Sequence, residues 1–206
     1  MTIDHIVYAV SDLETGISEI ENLLGVRAAI GGRHPDFGTH NALLSLGPRT
    51  YLEIISPDPD LAVPDRGFLF GIKENQDPHI ATWALQTDSI NERADAAIAA
   101  DVQLGAIESG SRQATDGTVL TWQLTDPYAM LLDGAVPFLI SWGDTSHPAG
   151  AAPHAGELID FRIEHPDAES VRRAISVLRV DMDVQQSGAR RLVARIKTKR
   201  GIVELD

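Results

Sequence analysis

The chain of 206 residues contains no cysteine. That absence excludes a disulfide framework, thiolate-held zinc or iron–sulfur sites and a thiol nucleophile, so any metal must rest on His, Asp or Glu. It also leaves the redox compartment unread. Basic residues are scarce: 17 Lys and Arg stand against 30 Asp and Glu, a net charge of −13. Nucleic-acid and anionic-membrane binding run on clustered Lys and Arg, and this balance argues against both. No run approaches the roughly 18–20 apolar residues of a membrane span, and MTIDHIVYAV lacks the basic lead of a secretory signal. A soluble, cytoplasmic protein is expected. Also missing are a G-x-S-x-G elbow, a Walker loop, a G-x-G-x-x-G after a strand and an H-E-x-x-H pair, which takes support from the hydrolase, kinase and Rossmann routes. Gly31-Gly32, followed by Arg33-His34-Pro35, reads as a turn and not as a phosphate cradle.

What is there is a repeat. Ala9–Val26 (AVSDLETGISEIENLLGV), Leu85–Val102 (LQTDSINERADAAIAADV) and Ile163–Val180 (IEHPDAESVRRAISVLRV) recur at offsets of 76 and 78 residues. Each reads as a strand end running into a helix. In the first, Ile3, His5, Val7 and Ala9 alternate with Asp4, Ile6, Tyr8 and Val10 in a short strand apolar on both faces. Ser11-x-x-Glu14 has the form of a capping box, Leu13, Ile17, Ile20 and Leu24 fall at helical spacing, and Gly25 ends the helix. The second copy offers Ser89-x-x-Glu92 with Ile90, Ala94, Ala97 and Ile98; the third offers Pro166 with Val171, Ile175 and Leu178.

Short β-like runs follow each helix: residues 26–31, 40–46 and 51–56, then 103–109, 118–125 and 137–142, then 184–187, 192–198 and 202–205. The chain therefore reads as α+β, built of βαβββ units over residues 1–60, 77–144 and 157–206, with small curved mixed sheets backed by helices. Two long connections, residues 58–78 and 143–156, read as linkers or lids.

A repeated βαβββ unit opening with Asp4-His5-Ile6 and carrying Tyr51-Leu52-Glu53-Ile54 on its last strand resembles the vicinal oxygen chelate superfamily. Within it, GGRHPDFGTHNALLSLG followed by TYLEIISPDP is similar to the glyoxalase-like domain proteins, most strongly over residues 3–59. Residues 157–206 look like an additional degenerate unit. The resemblance implies two units curving around a cleft, with His5 and Glu53 helping to hold a divalent metal ion (Zn, Ni, Fe or Mn) that chelates two neighbouring oxygens of a small-molecule substrate. An inward imidazole and an inward carboxylate on neighbouring strands can converge on one ion and leave positions open for substrate.

The second unit departs from that pattern. Ala81 stands opposite His5 and Ile140 opposite Glu53 in the repeat alignment, so His79, two residues earlier on the same strand face, is the remaining metal-ligand candidate. Its competing reading is a surface His at a loop-to-strand junction. Arg33, His34, His40 and Asn41 cluster between two strands of the first unit, as substrate-binding candidates or as turn chemistry, with His40 beside Glu53 as a candidate for proton transfer. Trp142 is a candidate cleft wall, whereas Trp83 and Trp122 read as core. Asp144 and His147 follow Trp142, and His147 is a reserve ligand in a loop expected to be solvent-exposed. Glu204 echoes Glu53 in a Val-Glu-Leu context.

Residues 190–200 hold six of the 17 basic side chains on a strand with one wet face; a solvated face, an internal electrostatic complement and a homodimer contact are its readings. The expected activity is that of a metal-dependent lyase, isomerase or dioxygenase. A metal-free binding or sequestering protein on the same scaffold is the alternative.

Overall fold

The computed structural model describes residues 2–113 and 117–206. The chain adopts the expected α+β architecture. Its first two units share one eight-stranded sheet. The first contributes β1 (Ile3–Ala9), α1 (Leu13–Leu24), β2 (Ala29–His34), β3 (Thr39–Ser45) and β4 (Tyr51–Pro57). The second contributes β5 (His79–Gln86), α2 (Ile90–Ala99), β6 (Ile107–Gln113), β7 (Val119–Thr125) and β8 (Phe138–Ser141). The strand order is β2-β3-β4-β1-β5-β8-β7-β6, with β1 antiparallel to β5 at the centre and parallel to β4. The sheet curls until its edges approach, and Arg112 on β6 donates to the Gly31 carbonyl on β2. The result is a nearly closed trough.

Strand alternation along β1 divides the interior in two. Ile6, Tyr8 and Val10 join Leu13, Ile17, Ile20 and Leu24 of α1 in the core outside the trough. Val7 and Ala9 face the other way, among Tyr51, Ile55, Phe138 and Trp142. Burying each large α1 side chain is worth roughly 1.5–3 kcal/mol, which fixes the helix on the sheet and leaves the concave face for a site.

The helix ends differ in detail from the expectation. Asp12, not Ser11, caps α1: its Oδ1 accepts the Thr15 N–H at 2.8 Å, and Glu14 pairs with Arg27 in place of reaching back. Gly25 ends the helix at φ 82, a left-handed conformation that costs glycine nothing. Ser89 precedes α2 without a side-chain cap, and Asp167 caps the third helix, Ala168–Val177, by accepting from the Ser170 N–H at 3.1 Å.

The C-terminal residues form a second sheet from β9 (Glu157–His165), β10 (Asp183–Gln186), β11 (Arg191–Thr198) and β12 (Gly201–Leu205), with α3 (Ala168–Val177). The element order repeats that of the first unit, but the strand order is β10-β9-β11-β12. β9 therefore lies between β10 and β11, whereas β1 pairs with the last strand of its unit. This sheet docks on the core outside the trough, where Phe161 meets Trp83 at 5.2 Å. The basic strand is partly an internal complement. Arg190 donates to β5 carbonyls, Arg191 pairs with Asp206, and Arg200 donates to the Asn22 carbonyl.

Both long connections pack down. The first carries a single turn at Leu69–Gly71, and Phe70 N–H bonds the Pro127 carbonyl at 3.1 Å. The second is tied to β3 through Ser45, which donates to Pro153 and accepts from Ala155. No helix among the described residues is long and apolar enough to cross a membrane.

Candidate active site

The trough holds a small cavity of about 40 Å³. Since one water needs roughly 10–15 Å³, only a few atoms fit without movement. His5 enters from β1, Asn41 from β3, Tyr51 and Glu53 from β4, and Arg112 from β6, while Trp142 follows β8. Leu69 and Phe70 of the first long connection cover one side. Most of the wall is apolar or aromatic, so each polar group is placed against low-dielectric surroundings.

The centre of the site is created by a β-bulge. Ile3 pairs with Leu85 and His5 with Ala84, so Asp4 is an extra residue on β1. A bulge turns adjacent side chains toward one another and re-aims them. Asp4 is fully buried, and its Oδ1 lies 2.7 Å from His5 Nδ1. Its Oδ2 accepts the Trp142 Nε1–H at 3.0 Å and lies 3.0 Å from His147 Nε2.

The hydrogen-bond inventory fixes the protons. His147 Nδ1 accepts from the Ala149 N–H at 3.2 Å, so the ring carries its proton on Nε2 and donates it to Asp4. A carboxylate only accepts, so His5 donates Nδ1–H and leaves Nε2 facing the cavity. Burial raises the Asp4 pKa, but hydrogen bonds from His147 and His5, with the charge those rings carry when protonated, outweigh it and bring it down to about 2.

His5 Nε2 lies 3.7 Å from Glu53 Oε2. Glu53, 7% exposed, accepts the Asn41 Nδ2–H at 2.6 Å through its other oxygen. The His5 ring is held between Tyr51, stacked at 4.6 Å, and the edge of Phe138 at 5.4 Å. Burial, with the charges of Asp4 and Glu53, pushes the Tyr51 hydroxyl well above its ordinary pKa. Burial also lowers the pKa of His34, against the pull of Glu53 and with the push of Arg112. The His34 ring spans Thr39, at 3.1 Å, and Asn41, at 3.5 Å. One Nε2 and one carboxylate oxygen, each oriented by a second partner, thus face the same small space.

Five of the sequence-selected residues meet here: His5, His34, Asn41, Glu53 and Trp142. Arg33 and His40 do not. They pair with each other across β2 and β3 and alternate with His34 and Asn41, so the period of two sends them to the outer face. There Arg33 bonds Asp58 at 2.8 Å, and His40 sits half-buried 3.9 Å from the same carboxylate. His79 is also elsewhere. Antiparallel pairing sets it against Ala9, five positions along β5 from the Ala84 that faces His5, or about 16–17 Å at the usual strand rise. Its ring bonds the Asp77 carbonyl at 2.8 Å. Glu204 is on β12, outside the cavity, and Asp144 is exposed. His147, expected in solvent, is the loop's anchor on Asp4.

The divalent ion implied by the resemblance can be tested against this donor set. His5 Nε2 and Glu53 Oε2 supply two donors, while Ala81, Ala84 and Ile140 of the second unit supply none. Among the described residues no three His, Asp or Glu side chains are grouped to hold one ion. Sites of the zinc kind take three or four protein ligands. The residues present do not fit a resident ion of that kind.

Two βαβββ units in one curved sheet, with an inward His on the first strand and an inward Glu on the fourth, define a scaffold of the vicinal oxygen chelate type. The chain belongs to the glyoxalase-like domain family, whose model matches residues 3–178. No curated protein matches it. The crystal structure of a hypothetical protein from Staphylococcus aureus is similar over 99% of this chain and 98% of its own, at 13% identity and a TM-score of 0.65. Methylmalonyl-CoA epimerase from Streptomyces coelicolor is similar over 71% of this chain and 97% of its own, at 21% identity and a TM-score of 0.43. The corresponding figures for the Mycobacterium tuberculosis enzyme of that name are 71%, 90%, 17% and 0.41.

Proposed function

We propose that this protein is an enzyme that moves a proton on a carbon next to a carbonyl group in a small substrate with neighbouring oxygens, using Glu53 and His5 as its acid–base pair. The observation that carries this reading is the 3.7 Å approach of His5 Nε2 and Glu53 Oε2 at the wall of one small cavity, with Asp4 and Asn41 fixing the far side of each group. Glu53 takes the carbon-bound proton. The C–H electron pair becomes the C=C of an enolate, and the carbonyl π pair moves onto oxygen. His5 Nε2 accepts the proton from Glu53, and the pair returns it to the same carbon, or to the neighbouring carbon once the hydroxyl proton there has moved to the enolate oxygen. Such positioned proton transfer is worth about 10²–10⁴-fold in rate.

The test is proton–deuterium exchange of hydroxyacetone and dihydroxyacetone in D₂O, followed by proton NMR. Wild-type protein exchanges the carbon-bound protons, and Glu53→Gln and His5→Gln each lose at least about a hundredfold. Exchange by both variants at the wild-type rate overturns the assignment. Chelator-treated wild type keeps its rate; stoichiometric metal lost in both His5→Ala and Glu53→Ala would favour the metal-dependent form of the chemistry. The largely apolar wall favours one second reading, a small-molecule binding protein without turnover. Thermal stabilisation by the same compounds without any exchange supports that reading over the enzyme.

A further inference from the structure

We propose that Arg112 is a further catalytic residue of this cavity: its guanidinium holds the oxygen on which negative charge develops as Glu53 takes the proton. This rests on the acid–base reading above. Among the described residues lining the cavity Arg112 is the one Lys or Arg, and it is 8% exposed. It arrives from β6 of the second unit, whereas Glu53 arrives from β4 of the first. The curl of the sheet therefore brings a base and a cation to one space from opposite units. Placing the cation there is costly, since a buried charge loses its hydration. Burial lowers the Arg112 pKa, and Tyr51 and Glu53 facing it pull the other way.

The contact with the Gly31 carbonyl uses Nη1, one nitrogen of a group with five N–H donors. A neutral donor would close the β2–β6 seam equally well, so the charge itself calls for a role. His34 does not compete for it, because burial favours its neutral form. In the proton-transfer step the C–H pair becomes the enolate C=C while the carbonyl pair moves to oxygen. A fixed cation beside that oxygen stabilises charge that exists only after the proton has left, and in a largely apolar site it does so far better than water. Arg112 thereby supplies from the second unit the positive charge for which Ala81 and Ile140 hold no ligand.

Arg112→Gln and Arg112→Lys separate charge from seam closure, since Gln keeps a donor for Gly31 and Lys keeps the charge. In the exchange assay, Arg112→Gln loses about a hundredfold in kcat with little change in KM, and Arg112→Lys recovers part of the loss. Independently of turnover, acetohydroxamate, whose ionised form mimics an enediolate, stabilises the wild type against heat more than neutral acetamide does. Arg112→Gln abolishes that preference and Arg112→Lys retains it. Full exchange activity in Arg112→Gln, an undiminished hydroxamate preference in it, no preference in the wild type, or a folded Lys variant as defective as Gln each overturns the proposal. Absence of exchange in the wild type alone sinks the acid–base reading; a hydroxamate preference that depends on Arg112 would still stand.

Discussion

His5 and Asp4 are consecutive in the chain, yet His5 Nδ1 lies 2.7 Å from Asp4 Oδ1. On a regular strand these side chains would point to opposite faces. The extra residue between the Ile3–Leu85 and His5–Ala84 pairs sets Asp4 beside His5, inside the trough. The imidazole is thereby held with its free nitrogen toward Glu53, and the loop bearing His147 and Trp142 is tied to the same carboxylate.

Asp4→Asn tests that arrangement. The amide cannot accept from His5, Trp142 and His147 as the carboxylate does, so His5 loses its fixed tautomer. The exchange rate of hydroxyacetone falls at least about a hundredfold, and the pH profile of what remains shifts. Breaking a buried charge network by removing one partner costs about 3–5 kcal/mol, read as a lower urea midpoint. An Asn variant with the wild-type rate and profile would show that His5 is oriented without Asp4.

Acid destabilises the fold in two windows. His34 has its folded pKa held below the ordinary 6.5, mainly by burial. As pH falls through 6.5, the unfolded chain takes up this proton before the folded one, so stability declines. Asp4 has a folded pKa of about 2 against the ordinary 3.8. Below about pH 4 the unfolded chain protonates first, and about 2 kcal/mol is lost as pH drops to about 2. Urea unfolding across pH 8 to 2 shows both slopes in the wild type. His34→Gln flattens the upper slope and Asp4→Asn the lower. Variants that run parallel to the wild type through both windows contradict this assignment.

The three strand-to-helix repeats were legible because each carries an apolar stripe at helical spacing next to a short strand, and Gly25 marks a true stop. His5 and Glu53 were legible as an inward pair because both are polar residues within apolar runs. Asp4 was not, since a bulge leaves no trace in alternation: the pattern Ile3, His5, Val7, Ala9 places Asp4 on the wrong face. Arg33 and His40 share a stretch of sequence with His34 and Asn41 but not a face, because the hairpin between β2 and β3 splits residues 33–41 by the period of two. Arg112 carried no signal, because its partner edge is 81 residues away and meets it only through the closure of the sheet. His79 looked close to His5 in an alignment of units, but the antiparallel β1–β5 ladder reverses that neighbourhood.

Opening of the cavity is expected at Phe70. This residue sits at φ 56, a left-handed conformation rare for a bulky side chain, and its ring stacks on Phe138 at 5.0 Å. Phe70→Ala removes the stacked ring and enlarges a cavity that now holds only a few atoms. The variant loses about 3–5 kcal/mol in urea unfolding, as large-to-small changes in a packed interior do. It also binds larger hydroxamates, such as benzohydroxamate, more tightly than the wild type does by calorimetry. Equal or weaker binding of the larger probe would mean that access lies elsewhere.

Arg190 joins the C-terminal sheet to the strand beside the site. On β5, Val7 pairs with Thr82 and Tyr8 with Ile80, so Ala81 is the extra residue of a second bulge. Arg190 Nη1 donates to the Ile80 carbonyl at 2.7 Å, and Nη2 donates to that of Ala81. Burial brings the Arg190 pKa down to about 10, which leaves the guanidinium charged at neutral pH. Arg190→Met keeps the apolar stem and removes the donors, leaving two carbonyls without this partner at about 1–3 kcal/mol each. A loss of about 2–6 kcal/mol follows, and amides of β5 and of β9–β12 exchange faster together, because the two sheets come apart at this seam. Deleting residues 157–206 goes further: it uncovers Trp83 and the apolar face beneath Phe161, and the truncated chain does not fold. If Arg190→Met unfolds within about 0.5 kcal/mol of the wild type, the seam is held by Phe161 and its apolar neighbours alone.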